Sequence, residues 1–158
     1  NRLRSLNTTP GHPNCIQPGK RPRITLTPTL VLKEGKPILG ISIAGGDCQD
    51  QTALNLLVDF IEFGMTPAEA VTAPRFCTFH HQNSFDPNPQ RDQTFTDAGQ
   101  LEIHATVDTS VREELERRGH PLVVKENAIS APSMVHISND GTFYAAGDPA
   151  ARRHSAAL

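Results

Sequence analysis

The chain has 158 residues, a formal net charge of −2 and a hydrophobic fraction of 37%, with no Trp, one Tyr and 13 Pro. That is the size of a single domain with a thin core, and it raises the question of whether another chain completes it. Charges of both signs are spread along the sequence and the one basic cluster is Lys20-Arg21-Pro22-Arg23, which argues against nucleic-acid binding; no apolar run approaches the ~20 residues that cross a bilayer.

Residues 1–24 are rich in Pro, Asn, Gly and Arg without a period, so an irregular segment that packs on something else or builds a site is expected. Residues 26–33 and 37–43 are β-prone around Glu34-Gly35 and read as a hairpin. Gly45-Gly46 follow, then Asp47 as the N-cap of a helix running to about Phe63 and stopped by Gly64. Leu54, Leu57, Val58 and Ile61 mark one face of that helix, and Leu56, Phe60 and Phe63 add a second, so cover on more than one side is expected. Thr66-Pro67-Ala68-Glu69 is a capping box that opens a short helix ending before Pro74.

Residues 77–99 are polar and read as a long loop. A strand at Leu101–His104, an amphipathic helix over 108–118 closed by Gly119, and a strand at Leu122–Lys125 come next. Residues 133–138 and 142–146 flank Asn139-Asp140-Gly141 as a second hairpin, and the tail from Asp148 reads as frayed. The whole is a layered α/β or α+β domain with antiparallel pairs, spanning 1–158, with sheets and helices over 25–147 and a tail over 148–158.

Gly45-Gly46 between a strand and a helix start is the first chemical candidate. Two glycines there let the backbone approach a ligand and aim N–H groups at developing negative charge, although a plain tight turn has the same composition. A phosphate loop is excluded, because Gly46 and Asp47 stand where it needs Lys and Ser or Thr. Cys48 at the helix start is a candidate nucleophile with no base nearby in sequence, and reads better as a buried hydrophobe. Cys15, Cys48 and Cys77 are widely spaced and do not compose a disulfide framework or a zinc motif. Thr8 and Thr9 are internal, without the free α-amine that would activate a threonine hydroxyl. The adjacent His80-His81 would point to opposite faces of a strand, a poor start for a metal site.

Beyond these single features, Lys20-Arg21-Pro22, then Thr25 through Pro37, resembles the γ-glutamyltranspeptidase pattern KRP-x-SSM-S-PT-hydrophobic-KDGKP. Ala44-Gly45-Gly46 is similar to its PGG, Glu69-Ala70-Val71-Thr72-Ala73-Pro74-Arg75-Phe76 to its EAVxAPRF, and Arg118-Gly119-His120, Asp140-Gly141 and Ala146-Gly147-Asp148-Pro149 to its closing motifs. The motifs are collinear over nearly the whole chain. The resemblance implies an N-terminal-nucleophile hydrolase, with this chain part of an αββα four-layer sandwich of antiparallel sheets. It implies a precursor that cuts itself, freeing a Thr whose hydroxyl attacks a γ-glutamyl or related acyl amide and whose α-amine is the base. Gly45 and Gly46 would form the oxyanion hole, no cofactor would be required, and the partners would be a large subunit and the preceding part of the small subunit.

The departures are as informative. The family's catalytic Thr lies upstream of the position that Asn1 matches, so this chain alone is expected to be inactive. Aligned with the family's N-Q-M-x-D-F, the opening residues put Arg2 at the Gln and Ser5 at the Asp that holds the substrate ammonium. In the carboxylate-binding SSM segment Ile24 replaces the first Ser, and Thr25 keeps one hydroxyl. An added Arg and a lost carboxylate favour an anionic acyl chain without an α-amine, as in glutaryl-acylase-like relatives. Two rival readings are an inactive relative that serves as a binding or structural partner, and a cysteine hydrolase using Cys48.

Overall fold

The computed structural model describes residues 8–22, 24–81, 90, 93, 95 and 98–156. Residues 8–22 are irregular, as their composition implies. The first hairpin joins β1 (Thr29–Lys33) to β2 (Lys36–Ala44), and its turn residues Glu34 and Gly35 both have positive φ, 52° and 76°. Such a turn matches the right-handed twist of the strands it joins. β2 then pairs antiparallel with β6 (Ala131–Ile137), which pairs antiparallel with β7 (Phe143–Gly147), giving the order β1-β2-β6-β7. β6 starts two residues before the expected hairpin strand, because Ala131 and Pro132 extend the ladder to Ala44 and Ile43.

Period-two alternation turns Leu39, Ile41 and Ile43 of β2 to one face, where they are buried with Met134 of β6. α1 (Gln49–Ile61) and α2 (Pro67–Thr72) cover that face with Ala53, Leu56, Ala70 and Val71. Full burial of a side chain such as Leu56 is worth about 1.5–3 kcal/mol. α2 starts as its sequence dictates: Thr66 Oγ1 accepts from the Glu69 amide at 3.3 Å, and the Glu69 carboxylate accepts from the Thr66 amide at 2.8 Å.

Four expectations are corrected. Asp47 is not the N-cap of α1. It sits inside a 3-10 turn, Gly46–Cys48, and Cys48 caps the helix without a side-chain hydrogen bond. Among the described residues α1 is covered on one side only. Thr52, Ala53 and Leu56 face the sheet, whereas Leu54 (61% exposed), Val58 and Ile61, spaced four and three apart, run down the opposite face. Residues 77–99 are not loop from their start, since β3 (Phe76–Thr78) joins a second sheet; residues 82–89, 91, 92, 94, 96 and 97 lie outside the described residues. Finally, Asp148 is not frayed. It is buried, and its amide donates to the Pro132 carbonyl at 3.1 Å.

The second sheet has the order β3-β4-β5, with β4 at Leu101–His104 and β5 at Leu122–Lys125. β3 and β4 are antiparallel, but β4 and β5 are parallel. α3 (Thr109–Arg117) lies between them in sequence, as a parallel pair requires a crossover. The molecule is thus an α/β protein whose main sheet is wholly antiparallel. The main sheet's other face carries Leu30 (65% exposed), Val135 and Phe143 (51% exposed), with no cover among the described residues.

Candidate active site

β2 ends at Ala44, and the chain turns at once through Gly45 and Gly46 into the first turn before α1. The two glycines are required for different reasons. Gly45 is extended, with φ −179°, so its conformation admits any residue. Its constraint is space: a Cβ there would lie 2.2 Å from Ser130 Oγ and 2.7 Å from Ser130 Cβ. Gly46 has φ +57°, in the left-handed region that glycine tolerates best. The Cys48 amide donates to the Gly45 carbonyl at 3.1 Å and closes the turn. The amides of Gly45 and Gly46 have no protein acceptor among the described residues.

The close approach of Ser130 is itself fixed. Ser130 has φ +62° and immediately precedes β6, and its hydroxyl accepts a 3.0 Å hydrogen bond from Thr52 of α1. One residue earlier, the Ile129 carbonyl accepts from Arg75 Nε at 3.1 Å. Arg75 also donates through Nη1 to the Val71 carbonyl at 2.6 Å and forms a buried ion pair with Asp148. Asp148 in turn accepts from the Ala150 amide at 2.9 Å. Two motifs far apart in sequence, Ala73-Pro74-Arg75-Phe76 and Ala146-Gly147-Asp148-Pro149, therefore meet beneath the glycine turn and hold the residue that abuts it.

A cleft of about 300 Å³ opens beside the turn, lined by Ile24, Thr25, Leu26, Thr27, Gly46, Asp47, Asp50 and His81. It brings together three residues that the sequence assigned to the site: Ile24, Thr25 and Gly46. Gly45 adjoins it through the turn, whereas Arg2 and Ser5 lie outside the described residues. The segment that carries Ile24 and Thr25 is tied to α1 by Thr27 Oγ1, which donates to the buried Gln49 side chain at 3.4 Å. Asp47, Asp50 and His81 were not assigned to the site from sequence. The available signal was position: Asp47 and Asp50 occupy the turn directly after the glycine pair, where their side chains cannot be far from it.

The other candidates fall elsewhere. Thr8 and Thr9 sit in an exposed turn and do not line the cleft. The Cys48 thiol is buried in a small cluster with Cys77 and Ile129. The neighbouring Cys77 thiol holds it below the ordinary thiol range, but it faces this cluster and not a general base.

The sequence model of the family described as gamma-glutamyltranspeptidase matches residues 1–158. The "Glutathione hydrolase proenzyme" of Escherichia coli (strain K12) is 32% identical over 139 residues, covering 88% of this chain and 21% of that protein. The "Acylase ACY 1 proenzyme" of Pseudomonas sp. (strain SE83) is 27% identical over 143 residues, covering 90% of this chain and 22% of that protein. Among solved structures, the Helicobacter pylori gamma-glutamyltranspeptidase T380A mutant superposes with a TM-score of 0.72 at 26% identity, covering 95% of this chain and 79% of the matched one. The chain thus spans about a fifth of the length of the curated relatives it matches.

Proposed function

The chain belongs to the gamma-glutamyltranspeptidase family, and from that premise we propose that it is the C-terminal part of the small subunit of an amide hydrolase or γ-glutamyl-type acyl transferase. The observation that carries the reading is the turn at Gly45-Gly46. It presents two consecutive amides without a protein acceptor among the described residues, beside a cleft that Thr25 and Ile24 also line. A threonine hydroxyl supplied from the preceding part of the polypeptide attacks the amide carbonyl, its proton passing to the threonine α-amine. The carbonyl oxygen becomes an oxyanion, which the Gly45 and Gly46 N–H groups stabilise. Collapse expels the amine with the transferred proton and leaves an acyl ester, which water or an amino acid then resolves. Each step needs atoms that lie outside this chain, so the chain by itself is inactive in this reading.

The fold of the whole is an αββα sandwich. Its support here is the main sheet, which has helices on one face and, on the other, an apolar surface around Leu30, Val135 and Phe143. A second sheet from the rest of the protein, the large subunit included, would bury that surface.

The acyl group is an anionic chain that lacks an α-amine. Ser5 where the family has Asp and Arg2 where it has Gln support this. The test uses the full-length protein after maturation. N-terminal sequencing is expected to find a small chain that begins with Thr upstream of Asn1. That enzyme is then expected to turn over glutaryl anilides at least tenfold faster than γ-glutamyl anilides. A clear γ-glutamyl preference overturns the acyl assignment and gives ammonium recognition to Asp47 and Asp50, the carboxylates on the cleft. Absence of a Thr at a cleavage point overturns the enzyme reading in favour of an inactive relative, which the loss of a hydroxyl at Ile24 would suit.

A further inference from the structure

Two thiols meet directly behind the glycine turn. Cys48 ends that turn and caps α1, Cys77 lies on β3, and both are buried, at 4% and 1% exposure, in one cluster with Ile129 and Phe79. Their juxtaposition is braced from one side by Gln51, in the first turn of α1. Its side-chain nitrogen donates to the Thr78 carbonyl at 2.9 Å, and its oxygen accepts from the Thr78 amide at 2.8 Å. A helix side chain here takes the place of a neighbouring strand, and it fixes the residue after Cys77 against the third residue after Cys48. On the far side Cys77 Sγ donates to the Glu102 carboxylate at 3.9 Å, and Glu102 is paired with Lys125 at 2.8 Å.

The two thiols are also chemically unequal. The interaction between the two thiols lowers Cys48 and, together with burial, pushes Cys77 up. The thiolate is the reactive form of either sulfur. The neighbouring Asp47 lines the open cleft, so a small oxidant in the cleft comes within one residue of it. Cys15, by contrast, is buried elsewhere, with its thiol on the Ile16 carbonyl at 3.7 Å.

We propose that Cys48 and Cys77 are a modification site, a dithiol that a hydroperoxide converts to a disulfide and so switches the glycine turn. In the first step the Cys48 thiolate attacks a peroxide oxygen, the O–O bond breaks, and a sulfenic acid and hydroxide (water after protonation) form. In the second, the Cys77 sulfur attacks the Cys48 sulfur and displaces hydroxide, which leaves as water with the Cys77 proton. Two thiols and one hydrogen peroxide give one disulfide and two waters, the thiols losing the two electrons that the peroxide gains. The two sulfurs, which share one buried cluster, must then close to about 2.05 Å. Cys77 is held in the β3–β4 ladder, whereas Cys48 lies in the turn two residues from Gly46, so the movement falls on Cys48. A shift on the order of 1 Å at a catalytic turn is enough for a roughly hundredfold loss of rate.

The switching half of this proposal rests on the assignment of Gly45 and Gly46 as the oxyanion hole; the cross-link does not. The full-length matured protein is titrated with hydrogen peroxide, blocked with iodoacetamide, digested without reductant and mapped by mass spectrometry. The expected result is one linked peptide pair joining Cys48 to Cys77, with Cys15 alkylated. In parallel, turnover is expected to fall at least tenfold in proportion to the linked fraction, to recover with dithiothreitol, and to be indifferent to peroxide in Cys77→Ser. Separate alkylation of Cys48 and Cys77, or their separate oxidation to sulfinic acids, overturns the cross-link. A linked enzyme with undiminished turnover overturns the coupling to the turn. A protein inactive before any oxidant is added fails the functional reading instead, and the peptide map still decides the cross-link.

Discussion

Gly45→Ala in the matured full-length protein is expected to lower kcat by roughly 10²- to 10³-fold with a much smaller change in KM, the loss typical of removing one oxyanion donor. The cause is not backbone strain, since φ at Gly45 is extended. The new methyl would meet Ser130 Oγ at 2.2 Å and Ser130 Cβ at 2.7 Å, and Ser130 cannot retreat. Thr52 holds its hydroxyl, Arg75 holds the carbonyl before it, and β6 begins immediately after it. The turn must yield, and the amides of Gly45 and Gly46 move with it. Adding Ser130→Gly removes both obstructing atoms, and glycine suits the positive φ of Ser130. The double variant is therefore expected to regain most of the lost kcat, the residual deficit reflecting the missing Thr52 hydrogen bond. Steady-state kinetics together with thermal unfolding separate the two effects. Wild-type kcat in Gly45→Ala would remove the turn from the mechanism.

Breaking the Arg75–Asp148 pair from either side is expected to cost about 3–5 kcal/mol of stability, because each change strands a charge in the interior. Both side chains are 4% exposed, so water does not compensate. Arg75→Met should cost more than Asp148→Asn. The methionine also leaves the Val71 and Ile129 carbonyls without their donor, whereas asparagine keeps an oxygen for the Ala150 amide. Denaturant unfolding of the matured protein measures both, and Arg75→Met/Asp148→Asn is expected to lose less than the sum of the single changes. Since Arg75 also sets the residue before Ser130, its replacement should reduce kcat where folded protein is recovered. A variant of either residue within 1 kcal/mol of wild type would mean that the pair is not a structural support.

Much of the fold was legible in the chain because the signals are local. Glu34-Gly35 dictates a hairpin turn, Thr66 and Glu69 cap each other three residues apart, and Gly119 ends α3, each within a few residues of the structure it sets. The glycine pair was likewise legible as a strand-to-helix turn, and its collinear motifs marked the family. Other features depend on which distant segments meet. Asp47 has the chemistry of an N-cap, but the left-handed Gly46 makes a 3-10 turn first and leaves it on the cleft. Phe76–Thr78 is too short to announce itself, and becomes a strand because β4 and the Gln51 side chain supply its partners. Ser130 beside Gly45, Arg75 on Asp148 and Cys48 against Cys77 each join residues dozens of positions apart. Capping, turn chemistry and period act between neighbours, so sequence alone determined most of the elements and the family. Steric exclusion, buried charge and sulfur contact act through space, so only the tertiary structure decided why Gly45 must be glycine, what holds Ser130 against it, and which thiol lies behind it.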